Sequence, residues 1–594
     1  MSATAAVPEA LPEALPEAAA KPARNYVPAG LDVADWSQIE PVARELQDRA
    51  IGSTAELEKW LLDYSELASV IDEYGARRYI AKSCHTDDEA IEKAFMHFVE
   101  NIEPKFKPVE TALRKKFLAS PHRTGLTDRR YEILSRGWQA DVDIFRDENV
   151  PLEVEATKII SEYDKLCGAM QIEFRGKTYT PQQLGRFVEE TDRATREAAW
   201  RAGTERRLKD RAATDGLFDR LVPLRHKIAT NAGMSDFRAY MWKSLKRFDY
   251  SPDDCLRFND AIARIAVPAV RELDRRRKAK LGVEQLRPWD APVRGEGCVD
   301  PLGRPPLQPF DPADIDGFVA TTHKVFQQLN PALADEFDSL RRHGNLDLGS
   351  RKGKQPGGYQ STLNEVRQPF IFMNAAGSQG DVETMIHEGG HAFHAIAARE
   401  EPLVFLRHAP MEFCEVASMG MELLAQEHLG AFYRDEADLA RAKRIHLEGI
   451  VRFFPWMATI DAFQHWLYTH PTHAAAERDG HWLSLMDRFN SSEIDWTGLT
   501  DARAAWWQRQ MHLFHVPFYY VEYGIAQLGA LQLWLMSREN PHRALSHYRA
   551  ALKLGGTRSL PELFSAAGIR FDFSERTFGP LIEAVQEELA SLPE

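Results

Sequence analysis

The chain has 594 residues, a formal charge of −14 and an apolar share of 44%, which suits a soluble globular protein too long for a single core. A pI near 5.8 argues against a nucleic-acid-binding surface and leaves a peptide cleft open. Five cysteines, Cys84, Cys167, Cys255, Cys298 and Cys414, show no CxxC or other paired spacing, as expected of reduced thiols in a cytoplasm.

The first 25 or so residues repeat Pro-Glu-Ala-Leu at 8 to 11 and 12 to 15 and in part at 16 to 18. They lack the basic start and apolar core of a signal peptide and read as a disordered tail, set at residues 1–30. Ser53-Thr-Ala-Glu56 has the form of a capping box, followed by Leu57, Trp60, Leu61, Tyr64, Leu67, Ala68, Ile71 and Tyr74 at helical spacing. A second box, Thr86-Asp-Asp-Glu89, opens a run with Ile91, Phe95, Phe98, Val99 and Ile102 on one side. Strand signals are few: a hairpin from Met170 to Thr180 around Arg175-Gly176, then Tyr359 to Leu363 and Pro369 to Asn374. Between Pro288 and Pro312 the prolines predict an extended connector. The apolar stretch Tyr519 to Met536 is interrupted by Glu522, Gln527 and Gln532, so it predicts a buried helix and not a membrane span.

The most informative segment is His387-Glu388-Gly389-Gly390-His391. Two imidazoles four apart on a helix lie about 40° apart and can grip one zinc ion, with Glu388 placed to take a proton from water. A hydrolase is the first expectation. Asp381 to Ile386 holds no Pro or Gly, which predicts a helix starting near Asp381 with the motif in its second turn. Two glycines inside that helix suggest that another helix, or a peptide, comes close there. Carboxylates that can complete the site are Glu400, Glu401, Glu412, Glu415 and Glu422. On the helix predicted from Glu412 to Glu422, Glu415 and Glu422 lie seven apart, about 20° from one another around the axis. One is expected to be a ligand and the other to orient an imidazole N–H. His394 shares the face of His387 and His391 and is expected to support a ligand or to pack. Cys414 reads as helix packing.

With HEGGHAFH at 387 to 394 and EVASMGME at 415 to 422, the chain resembles the thimet-oligopeptidase family of zinc metallopeptidases, in its oligoendopeptidase F branch. Gly357-Gly358-Tyr359 and Pro369-Phe-Ile-Phe-Met-Asn374 are similar to that family's glycine-rich turn and strand, which puts Gly358, Tyr359, Phe372 and Asn374 forward as substrate-binding positions. His512-Leu-Phe-His515-Val-Pro-Phe-Tyr519-Tyr520-Val-Glu-Tyr523 resembles its His and Tyr cluster facing the scissile carbonyl. Phe174 to Tyr179 and Asp192 to Ala199 resemble its hairpin and following helix. The resemblance implies a mainly α, two-lobed zincin with a small β-sheet beside the metal helix and a deep substrate cleft. It divides the chain into the tail 1–30, a helical amino-terminal domain 31–204 and a catalytic domain 205–594. One Zn²⁺ per chain is implied, on His387, His391 and Glu415, with Glu388 as general base and Glu422 supporting. Tyr520, Tyr523 and His512 are the implied oxyanion donors; His515 and Tyr519 are neighbouring alternatives, and Tyr519 is expected to fill the core.

The implied activity is cleavage of internal bonds in short, unfolded peptides, with the strand Phe370 to Asn374 pairing with the substrate backbone. The rivals are a peptidyl dipeptidase or carboxypeptidase on the same site, for which no terminus-binding basic residue stands out, and a non-catalytic peptide-binding protein. Partners are expected to be peptides, with neither nucleic acid nor membrane. Oligomeric state is left open.

Overall fold

The computed structural model describes residues 23–292 and 299–593. Most of the expected tail, and Cys298, lie outside the described residues. The chain is mainly helical and divides into two compact units. Among the described residues, one combines 23–142, 308–434 and 536–569; the other combines 143–292, 299–307, 435–535 and 570–593. Residue 205, the expected boundary, lies within the helix Arg193–Lys209 of the second unit.

In the first unit the helix Thr54–Cys84 starts where its cap predicts, with Ser53 accepting from the Glu56 N–H. It buries Leu57, Trp60, Leu61, Tyr64, Leu67 and Ile71. The second expected box is displaced by two residues: Asp88, not Thr86, caps the helix Glu89–His97. The end of the expected tail is also ordered, because Glu66 accepts from the backbone N–H groups of Asn25, Tyr26 and Val27 and Arg24 pairs with Glu365.

A three-stranded sheet lies beside the HEGGH helix. Its central strand, Gln368–Ala375, pairs in parallel with Leu346–Gly349 and antiparallel with Tyr359–Leu363. Both flanks are therefore occupied from Phe370 to Phe372, and this part of the strand cannot add a substrate strand as expected. The edges are Leu346–Gly349 and Tyr359–Leu363. The Ile371 N–H donates to Asn345 O on the far side, and Ile371 and Pro369 are the register partners of Gln360 and Thr362. Gln360 and Thr362 thus turn their backbone groups away from the central strand, toward the open edge. The Phe372 side chain is 0% exposed, stacked on Tyr359 at 4.9 Å, and so is core and not a substrate contact. Asn374 Nδ2 donates to the carbonyls of Gln355 and Gly357, which fixes the glycine turn and occupies that amide. A Cβ at Gly358 would stand 3.0 Å from Thr384 Cγ2 and 3.4 Å from Phe372 O, so the turn packs directly on the sheet and helix.

The HEGGH helix runs from Gln379 to Ala398, two residues earlier than expected, because Ser378 and Asp381 form the capping box. His387 consequently sits in the third turn. The carboxylate helix is Met411–Ala425. The two approach so closely at Gly390 that an added Cβ would lie 2.5 Å from Ala417 O and 2.6 Å from Ser418 Cα. Gly389 instead faces the tip of the Phe326 ring, at 2.8 Å.

The second unit is built on the long helices Pro252–Leu281 and Glu436–Thr469, with the helix Tyr520–Glu539 as far as Leu535. Its hairpin pairs Ile172–Phe174 with Lys177–Tyr179; Arg175 and Gly176 both take positive φ, the geometry of a two-residue hairpin turn. The described part of Pro288 to Pro312 contains neither helix nor strand. Among the described residues, no helix is long and apolar enough to cross a membrane.

Gly390→Ala gains about 1 kcal/mol of helix propensity but meets immovable backbone, an overpacking cost of about 3 kcal/mol. The expected net loss is about 2 kcal/mol, read as an earlier first transition in denaturant unfolding. Gly389→Ala, whose obstacle is a ring tip that can swing aside, is expected to lose less; the reverse order would contradict this account of the contact.

Candidate metal centre

His387, His391 and Glu415 bring one ligand atom each within 4.8 Å of one another. Glu415 Oε2 lies 3.5 Å from His387 Nε2 and 3.6 Å from His391 Nε2. Two donors about 2.1 Å from a tetrahedral zinc ion stand about 3.4 Å apart, so both Glu415-to-imidazole spacings suit such an ion. Glu422 Oε1 is 2.6 Å from His387 Nδ1; with Nδ1–H donating to this carboxylate, the Nε2 lone pair is left for a metal. Ser418 Oγ donates to Glu415 Oε2 at 3.0 Å. Glu412, the alternative carboxylate, is buried in the first turn of the same helix and lies outside the cluster.

Glu388 is buried beside the edge strand, and the Gln360 N–H donates to its carboxylate. Burial pushes its pKa up to about 7; the charge of His387 pulls it down, while those of Glu415 and Glu422 add to the rise. Burial alone would lower His387, but the Glu422 hydrogen bond and the charges of Glu422, Glu415 and Glu388 push it up to about 9. His391 moves the other way, well below its ordinary value, through burial and its neighbours His387 and His394. Burial and the charge of His408 lower His394 to about 3. Its Nε2 has no hydrogen-bond partner, the situation of a neutral packing histidine.

His512, Tyr520 and Tyr523 converge within the second unit. The His512 ring centroid is 4.9 Å from Tyr520 and 6.1 Å from Tyr523, and the two tyrosines are 5.6 Å apart. Tyr519 is only partly buried, against expectation, with its ring 5.2 Å from Tyr523. His515 is occupied elsewhere, its Nε2 being 2.8 Å from Asp164 Oδ1.

The residues that hold this segment escaped the sequence analysis. Buried Arg225 donates to Leu513 O at 3.0 Å, to Phe514 O and to the Tyr468 hydroxyl. Buried Arg247 donates to Phe518 O at 2.5 Å and to Glu522 Oε1 at 2.8 Å. Gln464 Oε1 accepts from the Phe518 N–H, holding Phe518 at φ 67°. Each partner lies dozens to hundreds of residues away, and a lone Arg or Gln carries no local signal of such a role. A second metal-type grouping, Cys255, Asp461 and His465, is buried in the same unit. Here Asp461 accepts from Asn259 at 2.8 Å and lies 3.4 Å from His465. Burial would raise Asp461, but His465, Asn259 and Arg247 hold it below the usual carboxylate range.

Peptidase family M3 matches residues 186–578, and the Peptidase M3 N-terminal domain matches residues 31–145. Among curated relatives, the Oligoendopeptidase F homolog of Borreliella burgdorferi is 24% identical over 43% of this chain and 44% of its own length. Oligopeptidase A of Escherichia coli is 26% identical over 39% of this chain and 41% of its own. The chain thus spans less than half the length of these curated relatives. Similar solved structures include PZ peptidase A with inhibitor 2, at 27% identity and TM-score 0.86, covering 94% of this chain and 97% of that one. A putative oligoendopeptidase F is 28% identical at TM-score 0.85, covering 96% and 99%.

With its pKa near 9, metal-free His387 carries a proton on Nε2 through the neutral range, and a metal must displace it. Zinc affinity is therefore expected to rise about tenfold per unit between pH 6 and 8, measured by competition with a chromophoric chelator. Glu422→Gln is expected to weaken binding by roughly 10- to 100-fold and to flatten that slope, since His387 then loses the charge that raises it. A wild-type affinity independent of pH would count against this ligand arrangement.

Proposed function

The chain belongs to peptidase family M3, and from that premise we propose that it is a zinc-dependent endopeptidase acting on short, unfolded oligopeptides. The observation that carries the reading is the meeting of the His387 and His391 Nε2 atoms with Glu415 Oε2, in tetrahedral spacing and next to buried Glu388. The names of the relatives, oligopeptidase and oligoendopeptidase, support peptides of limited length as substrates.

When bound, zinc acidifies a water molecule and polarises a carbonyl. Glu388 takes the proton from that water and returns it to the leaving amine. Its carboxyl rests near neutrality in the metal-free site, which suits a group that must both accept and release a proton. Glu422 keeps the His387 ring turned with Nε2 toward the ion. His512, Tyr520 and Tyr523 are the proposed donors to the oxyanion. The substrate backbone pairs with the open edge of Tyr359–Leu363, through the Gln360 carbonyl and the outward backbone groups of Thr362, the Gln360 N–H being held by Glu388, so that affinity comes from main-chain hydrogen bonds common to all sequences. Gly358 and Tyr359 lead into that edge and Asn374 holds the turn before it.

The test is an end-blocked, internally quenched peptide of about ten residues, incubated with and without a zinc chelator. Internal cleavage abolished by chelation and restored by zinc is the expected result; no cleavage by protein shown to hold one zinc per chain would overturn the reading. Glu388→Gln is expected to retain zinc and to lose 10²- to 10⁴-fold in kcat, roughly the worth of a general base, whereas His391→Ala should lose both metal and turnover. A zinc-loaded Glu388→Gln variant with near-normal rate would remove Glu388 from the role of base.

A further inference from the structure

An imidazole can serve as a neutral donor through only one nitrogen at a time, so a donor histidine must have its tautomer set. The neighbours of His512 decide this. Gln510 Nε2 lies 2.7 Å from His512 Nδ1, and on the other side Gln510 Oε1 lies 3.3 Å from Trp456 Nε1. An indole N–H only donates. Were the Gln510 amide turned over, its NH₂ would face the indole N–H, donor against donor. The carbonyl therefore points to Trp456 and the NH₂ to His512. Because that NH₂ also only donates, His512 Nδ1 must be the accepting lone pair, and in the neutral ring the proton sits on Nε2.

Gln510 and Trp456 are both buried, at 3% and 2% exposure. The Gln510 main chain is fixed as well, its N–H donating to Trp507 O at 2.9 Å and its carbonyl accepting from Leu513 N–H at 3.1 Å. Trp456 is wedged edge-on against Trp482 with ring centroids 5.9 Å apart. The relay thus runs from a rigid core tryptophan through one amide to a partly exposed ring.

We propose that Gln510 is a positioning residue that locks His512 as its Nε2–H tautomer, presenting a neutral donor and not a lone pair to the developing oxyanion. The proposal rests on the reading of His512 given above. In the other tautomer the ring would direct electron density at a negatively charged oxygen and oppose the reaction it is placed to assist.

The test is ¹⁵N NMR of the zinc-loaded full chain labelled at histidine, with the His512 signals identified by their loss in His512→Phe. In the wild type, Nδ1 is expected to resonate as an unprotonated, hydrogen-bonded nitrogen and Nε2 as a protonated one. Gln510→Glu, the same shape without the NH₂ donor, is expected to bring a proton onto Nδ1. Gln510→Met, which keeps the volume and loses the tie, is expected to lower kcat roughly tenfold with KM little changed, as for a misaligned group. A wild-type His512 protonated at Nδ1 overturns the proposal whatever the variants do. Full kcat in zinc-loaded Gln510→Met also overturns it. Full turnover in His512→Phe would instead overturn the catalytic reading of His512, and with it the part given to Gln510 in the reaction, while the wild-type spectrum would still report the tautomer.

Discussion

The approach of two helices at Gly390 is the constraint on which the metal centre depends. Backbone meets backbone there, with Ala417 O and Ser418 Cα where a side chain would otherwise start. That contact brings Glu415 to the two imidazoles and, seven residues on, Glu422 to the back of His387. The same Ala417 carbonyl accepts from the Tyr548 hydroxyl at 2.6 Å, so a third helix, Pro541–Leu552, pins the point of closest approach. A side chain one methyl larger at this position would separate ligands that lie in the right directions but must also lie at the right distance.

Charge is arranged around this frame with little slack. Three carboxylates, Glu388, Glu415 and Glu422, surround two imidazoles with opposite tendencies, His387 drawn toward the charged form and His391 away from it. Burial makes each uncompensated charge expensive, and a dication is the economical way to satisfy the whole set. The second unit solves a different problem by similar means. Arg225 and Arg247 are buried guanidiniums that donate to carbonyls of the segment from Leu513 to Phe518, Arg247 also pairing with the buried Glu522 carboxylate. These hydrogen bonds, and for Arg247 the Glu522 charge, offset part of the cost of stripping the guanidiniums of water, and the segment gains a fixed path, including the positive φ of Phe518.

What could be read from the sequence was local and periodic. The long helix from Thr54 and the Glu415 helix follow from 3.6-residue spacing, and the HEGGH ligands from their separation along one turn. Errors arose where two local signals competed. Gly380 looked like a helix boundary, yet Ser378 caps three residues upstream of Asp381 and the glycine is absorbed. Thr86 and Asp88 both offered cap oxygens, and Asp88 won. The sequence puts Phe370 to Asn374 forward as the substrate-pairing strand, although the unbroken apolar run Phe370 to Met373 is the pattern of a strand covered on both faces; the polar Gln360-Ser-Thr362 lies on an edge strand. The strand Leu346–Gly349 was too short to notice. Gln510, Arg225 and Arg247 could not be found at all, because their meaning lies in partners distant along the chain.

The interleaving of segments has a consequence for how the protein is made. The chain passes from one compact unit to the other at residues 143, 308, 435, 536 and 570, so neither unit is complete until nearly the whole polypeptide has left the ribosome. The HEGGH helix emerges well before Tyr548, which grips its neighbour, and the helix from Thr54 must wait hundreds of residues for the sheet beside it. Folding of this kind closes large loops before it is rewarded, leaving apolar helix faces uncovered during synthesis, when aggregation competes. Truncation within the last segment should therefore leave an incompletely built chain rather than a smaller working one, and complementation by separately expressed halves would have to rebuild both units at once.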